Sequence, residues 1–336
     1  MITIGQIGAG TWGQNLVRNF YNLKGCRMKI CCDKNREVLE KIKSQYGGNI
    51  KVTDDFDDLI KDSHLDAIVI ATLPVTHSHF AIKALSKGRH VFVEKPLALD
   101  IKDAKEMIRV AKRKRRILMV GHLLLYHPAV KRLKSCIEDG LLGDIHYLYS
   151  TRVNLGQVRE EENALWSLTA HDVSVAIHLL NKRPFEVSTT GKSYIRKQIQ
   201  DVVFVTLNFK NKIMAHIHAS WLDPHKIRKF TVVGSKKMAV FDDMESAEKL
   251  RIYDKGFSFQ KNYGSYETFL TLREGDINIP KIEMVEPLKL ECQHFIDSIK
   301  NNTQPLSDGE NGLRVLEVLT AAQKSLEENG KPVKIK

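Results

Sequence analysis

The stretch "MITIGQIGAGTWGQN", residues 1–15, decides how the rest of the chain is read. Ile2 to Ile7 form a strand-length, largely apolar run that ends in Gly8-x-Gly10-x-x-Gly13. "TWGQNLVRNFYNL" then carries helical spacing. Strand, glycine turn and helix in that order open a βαβ unit. In such a unit Gly8 permits the tight turn, Gly10 lets a pyrophosphate approach the backbone, and Gly13 lets helix and strand pack closely. The helix N-terminus adds free N–H groups and a positive dipole end. "CRMKICCDKN", 26–35, supplies the second strand. Asp33 closes it, about 20 residues beyond Gly13, where a carboxylate bonds the adenosine ribose hydroxyls. The expected ligand is therefore a dinucleotide held by Gly8, Gly10, Thr11, Trp12, Gly13 and Asp33. A carboxylate at Asp33 repels a 2′-phosphate, which favours NAD over NADP. Lys34 and Arg36 follow at once and can tolerate that phosphate.

Outward from this unit, strands and helices alternate to about residue 122. "LDAIVIATLP" is a strand, "THSHFAIKALSKG" a helix with Gly88 at its end, and "HVFVEKP" a strand. "DIKDAKEMIRVAKRKR" is a helix that Asp100 can cap, and "ILMVGH" another strand. The strands are continuous apolar runs, as in a parallel, doubly wound α/β sheet covered on both faces. After a helix at about 128–139 the texture changes. "IHYLYSTRVN", "DVVFVTLNFKN" and "KIMAHIHASWL" alternate with period two, "KFTVVGSKKMAVFDD" reads as a hairpin, and "KLRIYD" as a short strand. The expected arrangement is a Rossmann-type domain over 1–122 and an α+β domain over 123–336. The second carries a large, open-faced, mainly antiparallel sheet. Helices at about 287–301 and 309–328 close the chain and are candidates to return to the first domain.

The 336 residues are 43% hydrophobic and 27% charged, enough for two ordinary domains with real cores. No apolar run reaches the ~20 residues of a membrane helix. The N-terminus enters a strand directly, without a basic n-region or cleavage site. Five scattered cysteines, outside metal-ligand spacing, point to a reducing, cytoplasmic compartment. The net charge is +12, and "AKRKRR" at 111–116 is the densest basic run. It ends a helix, where cations suit the dipole, and no nucleic-acid-binding motif accompanies it. A basic surface suits an anionic small substrate instead. His216 and His218 share a strand face, but no further ligands are spaced for zinc.

Glu94, Lys95 and Pro96 follow the buried run Val91–Val93. In a doubly wound sheet, ligands bind beyond the carboxyl ends of the strands. Thr72 and Pro74, after "AIVIA", lie at the same end. A lysine there can hydrogen-bond a reacting oxygen, whereas a lone lysine at a strand end is ordinarily just surface. "DAIVIATLPVTHSHFAIKALSKGRHVFVEKPLAL" (66–99), "HDVSVAIHLL" (171–180) and "FIDSIKNNTQPLSDGENGLRVLEVLTAAQKSL" (295–326) resemble the Gfo/Idh/MocA oxidoreductase family. That family includes glucose–fructose oxidoreductase and inositol dehydrogenase. The resemblance runs nearly end to end, with Glu-Lys-Pro its most specific short signature. It implies a nicotinamide cofactor near His77, Glu94 and Lys95, a sugar or cyclitol substrate, and Lys95 as a catalytic residue. It also implies homodimers or homotetramers built through the open sheet.

"ALWSLTAHDVSVAIHLLN", 164–181, reads as a helix in which Thr169 caps and Asp172 completes a Thr-x-x-Asp box. His171 then falls in the first turn. The resemblance assigns it the exchange of the substrate hydroxyl proton, a task suited to an imidazole near neutral pH. Inositol-dehydrogenase-like members carry an Asp four residues earlier, where this chain has Ser167. Asp172 is the alternative partner. "STRVNLG", "LWSLTAHD" and "ASWLDPHKIRKFTVVGSKKMAVFDD" look most like members acting on nucleotide-linked sugars, such as UDP-N-acetylglucosamine 3-dehydrogenases. Arg152, Lys226 and Arg228 can then meet a pyrophosphate, and Tyr126 or Trp166 can pack on sugar or base. Oxidation would give a 3-keto sugar ready for a transaminase. Two other readings are open: dehydrogenation of a free sugar or cyclitol, and a non-catalytic dinucleotide-sensing regulator.

Overall fold

The computed structural model describes residues 1–156, 158, 160, 162–261 and 268–335, with the side chains of 258–261 and 268–270 left aside. The chain opens with β1 (Ile2–Ile7), α1 (Gly13–Asn22), β2 (Cys26–Cys32), α2 (Arg36–Tyr46), β3 (Lys51–Thr53) and α3 (Phe56–Lys61). β4 (Ala67–Ile70), α4 (His77–Ser86), β5 (His90–Glu94), α5 (Ile101–Lys114) and β6 (Leu118–Gly121) follow. The six strands form a parallel sheet in the order β3-β2-β1-β4-β5-β6. Every residue of β4 is fully buried, as strands covered on both faces require. The strand order reverses between β1 and β4, and ligands of such sheets bind beyond the carboxyl ends at that point. Local signals set the helix ends. Asn35, Asp55 and Asp100 cap α2, α3 and α5 by accepting from Glu37 N, Asp57 N and Lys102 N. Gly88 ends α4 at φ 78°, and Lys112, Arg113 and Lys114 fill the last turn of α5.

α6 (Pro128–Glu138) leads into β7 (Ile145–Val153) and α7 (Ala170–Leu180), then β8 (Glu186–Lys192), β9 (Val202–Asn208), β10 (Met214–Ser220), β11 (Ile227–Gly234) and β12 (Met238–Asp242). β13 (Leu250–Lys261) and β14 (Thr268–Asn278) form a long hairpin. α8 (Pro287–Asn301), α9 (Gly309–Glu327) and β15 (Val333–Lys334) end the chain. The second sheet has nine strands, β14-β13-β12-β11-β7-β10-β9-β8-β15, antiparallel apart from the β7–β10 pair. Its period-two pattern buries Leu148, Val205, Ile217 and Val232 and leaves Tyr147, Tyr149, Phe204 and Met214 exposed. The expected hairpin turns at Gly234–Lys237. Sequence reading missed β3, β8, β14 and β15 and stopped β13 at Asp254. β14 lies at the sheet edge and its "REGD" interrupts any apolar alternation, while the β13 register shifts between Tyr253 and Lys255.

The chain divides into two units, Met1–His127 with Val285–Leu316, and Pro128–Met284 with Glu317–Lys336. In the first, Phe295 of α8 packs edge-on against Phe20 of α1 and Phe92 of β5, with ring centroids 6.3 and 5.7 Å apart. Among the described residues no helix is long and apolar enough to cross a membrane. All five cysteines are buried free thiols.

Candidate active site

The glycine turn is built around a residue that the motif does not mention. Gln6 lies in β1 with no exposure, and its Nε2 donates to Gly8 O and Gly13 O, both at 2.8 Å. One buried amide thus ties both ends of the turn. Gly8 has φ 86°, and a Cβ there would lie 2.4 Å from Ala71 O. A Cβ on Gly13 would lie 2.4 Å from Gly8 O, whereas one on Gly10 would meet nothing within 4 Å. Two glycines are therefore needed by the protein itself, and the third leaves open space over the turn. Asp33 accepts from Ala9 N at 2.7 Å through Oδ2 and from Asn35 N at 2.9 Å through Oδ1. The carboxylate expected to read the ribose also orients the turn. Lys34 Nζ donates to Asp54 O at 2.8 Å. These features suit a dinucleotide: a left-handed glycine turn, an open backbone at Gly10, a helix N-terminus and an acid at the end of β2.

The carboxyl ends of β4, β5 and β6 complete the first unit's crevice. Thr72 Oγ1 lies 2.7 Å from Thr76 Oγ1, and Pro74 begins a short 3₁₀ turn. His77 is fully buried, with Nδ1 2.8 Å from Pro96 O and Nε2 3.2 Å from Thr72 O. Burial, the largest cause, pulls its pKa below the ordinary imidazole value. Its ring braces the β4 and β5 loops from behind. The Lys95–Pro96 bond is cis. Trp12 Nε1 donates to Glu94 Oε1 at 2.6 Å, linking the glycine turn to the end of β5. Glu94 pairs with Gly121 in the ladder, where any Cβ would come within 2.9 Å of the Glu94 carboxyl. His122 follows, 1% exposed, its pKa pushed down to about 3 by burial and then by the charge of Lys95.

In the second unit, His171 stands at the second position of α7. The helix does not begin at Thr169 as the capping box predicts. Residues 165–169 form a turn of π-helix that runs straight into α7. Thr169 has helical dihedrals and its hydroxyl donates back to Leu165 O. Asp172 is likewise not a cap. It is buried and takes Arg152 Nε at 2.6 Å and Nη2 at 3.2 Å. This also corrects Arg152, whose guanidinium, 8% exposed, is committed to Asp172 instead of a pyrophosphate. The pair clamps the first turn of α7 to β7, while Ser174 Oγ donates to His171 O at 2.7 Å. Ser167 is buried within the π turn. Trp166 is half-buried, and its Nε1 donates to Gln323 Oε1 at 3.2 Å. Lys226 is exposed before β11, and Arg228 lies 3.5 Å from Asp243.

Tyr126 is a further correction. It is 1% exposed, and its hydroxyl lies 2.8 Å from Ser307 Oγ. It is a core residue of the first unit and presents no face to a sugar or base. Its apolar context, "LLLY", was the signal.

Residues 2–122 match the model described as "Oxidoreductase family, NAD-binding Rossmann fold". Residues 134–335 match that described as "Oxidoreductase family, C-terminal alpha/beta domain". A myo-inositol 2-dehydrogenase of Thermotoga maritima is 28% identical over 97% of this chain and 96% of its own. An uncharacterized oxidoreductase of Streptococcus pneumoniae is 27% identical over 64% of this chain, and the match spans 61% of that protein. Among solved structures, a UDP-N-acetylglucosamine 3-dehydrogenase of Acidithiobacillus ferrooxidans shares the fold. Its TM-score is 0.81 at 21% identity, over 97% of this chain and 98% of that one.

Proposed function

The chain belongs to the Gfo/Idh/MocA oxidoreductase family and is an NAD-binding oxidoreductase, and from that premise we propose that it oxidises a ring hydroxyl of a nucleotide-linked sugar. The preferred substrate is a UDP-linked N-acetylhexosamine, oxidised at C3 to the 3-keto sugar. NAD⁺, when bound, supplies the hydride acceptor. Gly8, Gly10, Thr11, Trp12 and Gly13 would hold its pyrophosphate, Asp33 its adenosine ribose, and Thr72, Pro74 and Glu94 line the same crevice. His77 contributes by bracing that crevice. The carbon-bound hydrogen leaves with two electrons, and the hydroxyl proton goes to His171. The Lys95 ammonium donates to the reacting oxygen and favours its alkoxide character. Arg152 and Asp172 act on this chemistry by fixing the turn that carries His171.

The observation that carries the nucleotide-sugar reading is Ser167. The acid that inositol-dehydrogenase-like members place four residues before the histidine is absent, and the site holds a buried hydroxyl instead. The net charge of +12 and the exposed Lys226 are suited to a diphosphate. A second reading is oxidation of a free cyclitol, favoured by the end-to-end similarity to a myo-inositol 2-dehydrogenase. Purified protein given NAD⁺ and either UDP-N-acetylglucosamine or myo-inositol, with NADH followed by absorbance, separates the two. Turnover of inositol alone overturns the first reading. We also place self-assembly, as a dimer or tetramer, on the open sheet face that exposes Tyr149 and Phe204.

A further inference from the structure

Glu291 lies on α8, in the first unit, and belongs to no part of the reaction described above. It is fully buried, and among the described residues neither carboxyl oxygen has a hydrogen-bond partner. An ionised carboxylate in such a place is costly, because burial removes its hydration and nothing replaces it. Its position follows from the packing of α8 on β5. Phe295 of α8 meets Phe92 of β5 at 5.7 Å. Glu291 lies one helical turn before Phe295, on the same helix face. Glu94 lies two residues beyond Phe92, on the same strand face. The two carboxyls thus flank one aromatic contact, and the charge of Glu94 bears on Glu291.

From this geometry we infer that Glu291 is a positioning residue of the cofactor site that keeps its proton while Glu94 ionises, so that the two carboxyls together carry one negative charge beside Lys95. Two carboxylates that repel one another, one of them fully buried, do not both ionise at neutral pH. Glu94 is the member with partners, since it accepts from Trp12 Nε1 at 2.6 Å and from Lys95 N at 3.3 Å. Burial, and then the charge of Glu94, hold Glu291 well above the ordinary carboxyl value. Burial raises Glu94 to about 7, against the lowering effects of Trp12 and Lys95. Among the described residues no cation acts on Glu291. From α1, Arg18 and Asn19 are engaged by Glu286, at 2.5 and 3.2 Å. From the 3₁₀ turn at 123–126 comes Tyr126, whose hydroxyl is shared with Ser307. Cys292 beside it and Cys26 from β2 are buried thiols held above their ordinary value.

A neutral Glu291 matters because a second charge would repel Glu94 and displace it from Trp12, loosening the end of β5 where NAD⁺ is read. The effect should appear at alkaline pH, when Glu291 finally ionises. The test uses the full chain in two measurements. Infrared difference spectroscopy of the wild type above the Glu94 titration should show a protonated-carboxyl band that disappears in Glu291→Gln. This readout involves no cofactor or substrate, so it stands apart from the substrate assignment. NAD⁺ affinity, followed by calorimetry, should be the same in wild type and Glu291→Gln at neutral pH. Above the Glu291 titration the wild type should weaken, by up to about tenfold per pH unit, while the variant does not follow it. A carboxyl that is merely structural shifts thermal stability and leaves the two profiles superimposed. Superimposed profiles, or no protonated-carboxyl band in the wild type, overturn the inference.

Discussion

Gly10 and Gly13 carry the same letter in the motif and different constraints in the protein. A methyl on Gly13 would collide with Gly8 O, while one on Gly10 enters open space. Gly13→Ala should lower stability by about 1–3 kcal/mol as the turn shifts, read by urea unfolding. Gly10→Ala should leave the unfolding curve unchanged and weaken NAD⁺ binding at least tenfold, read by calorimetry. Equal loss of stability in both would mean that Gly10 is structural. The turn, Asp33 and the Glu94-Lys95-Pro96 end of β5 were legible because each is a local pattern with a known mechanical reason. Gln6 was not, because its partners Gly8 and Gly13 are found only after the turn closes. The one available signal was a polar residue in an otherwise apolar strand. Glu291 was hidden for the same reason, since "KLECQHF" looks like any amphipathic helix until burial is known.

The α7 entrance shows where local reading fails at the level of elements. Thr-x-x-Asp is a sound capping signal, but tertiary pairing outweighed it. Arg152 from β7 claimed Asp172, and the preceding residues wound into a π turn, a feature often found at functional sites. Arg152→Met leaves a buried carboxylate without its partner and should cost about 3–5 kcal/mol, with a fall in kcat as His171 loses its fixed turn. Arg152→Met combined with Asp172→Leu should recover much of the stability without recovering kcat. Urea unfolding and steady-state kinetics check both statements. If the single variant unfolds like the wild type, the pair does not clamp α7. The long β13–β14 hairpin escaped notice because an edge strand can be charged and still pair through its backbone.

At the scale of the whole molecule, five of the described imidazoles sit below their ordinary value, each with burial as the largest cause. His122 reaches about 3, His90 and His178 about 4, and His77 and His218 are also lowered. Such groups bind protons more readily when unfolded, so they cost stability as pH falls from about 6.5 toward 4. Glu94 and Glu291 act in the opposite sense, against the five described imidazoles. The melting temperature should fall across that window in calorimetry, and a flat or rising profile would contradict this balance. The exposed aromatic face of the nine-stranded sheet leads to another expectation. Tyr149→Glu with Phe204→Lys should shift the mass in light scattering to that of one chain while each unit stays folded. Both sheets were foreseeable from strand texture, parallel runs first and alternation second. The return of residues 285–316 to the first unit depends on non-local packing such as Phe295 against Phe20. The most direct test of the central claim is isotope transfer from UDP-N-acetylglucosamine deuterated at C3, with NAD⁺ and the purified protein. The account predicts deuterium in the NADH recovered, with its formation abolished by Lys95→Ala and by His171→Ala. Deuterium that remains in the sugar while NADH forms from another substrate would contradict it.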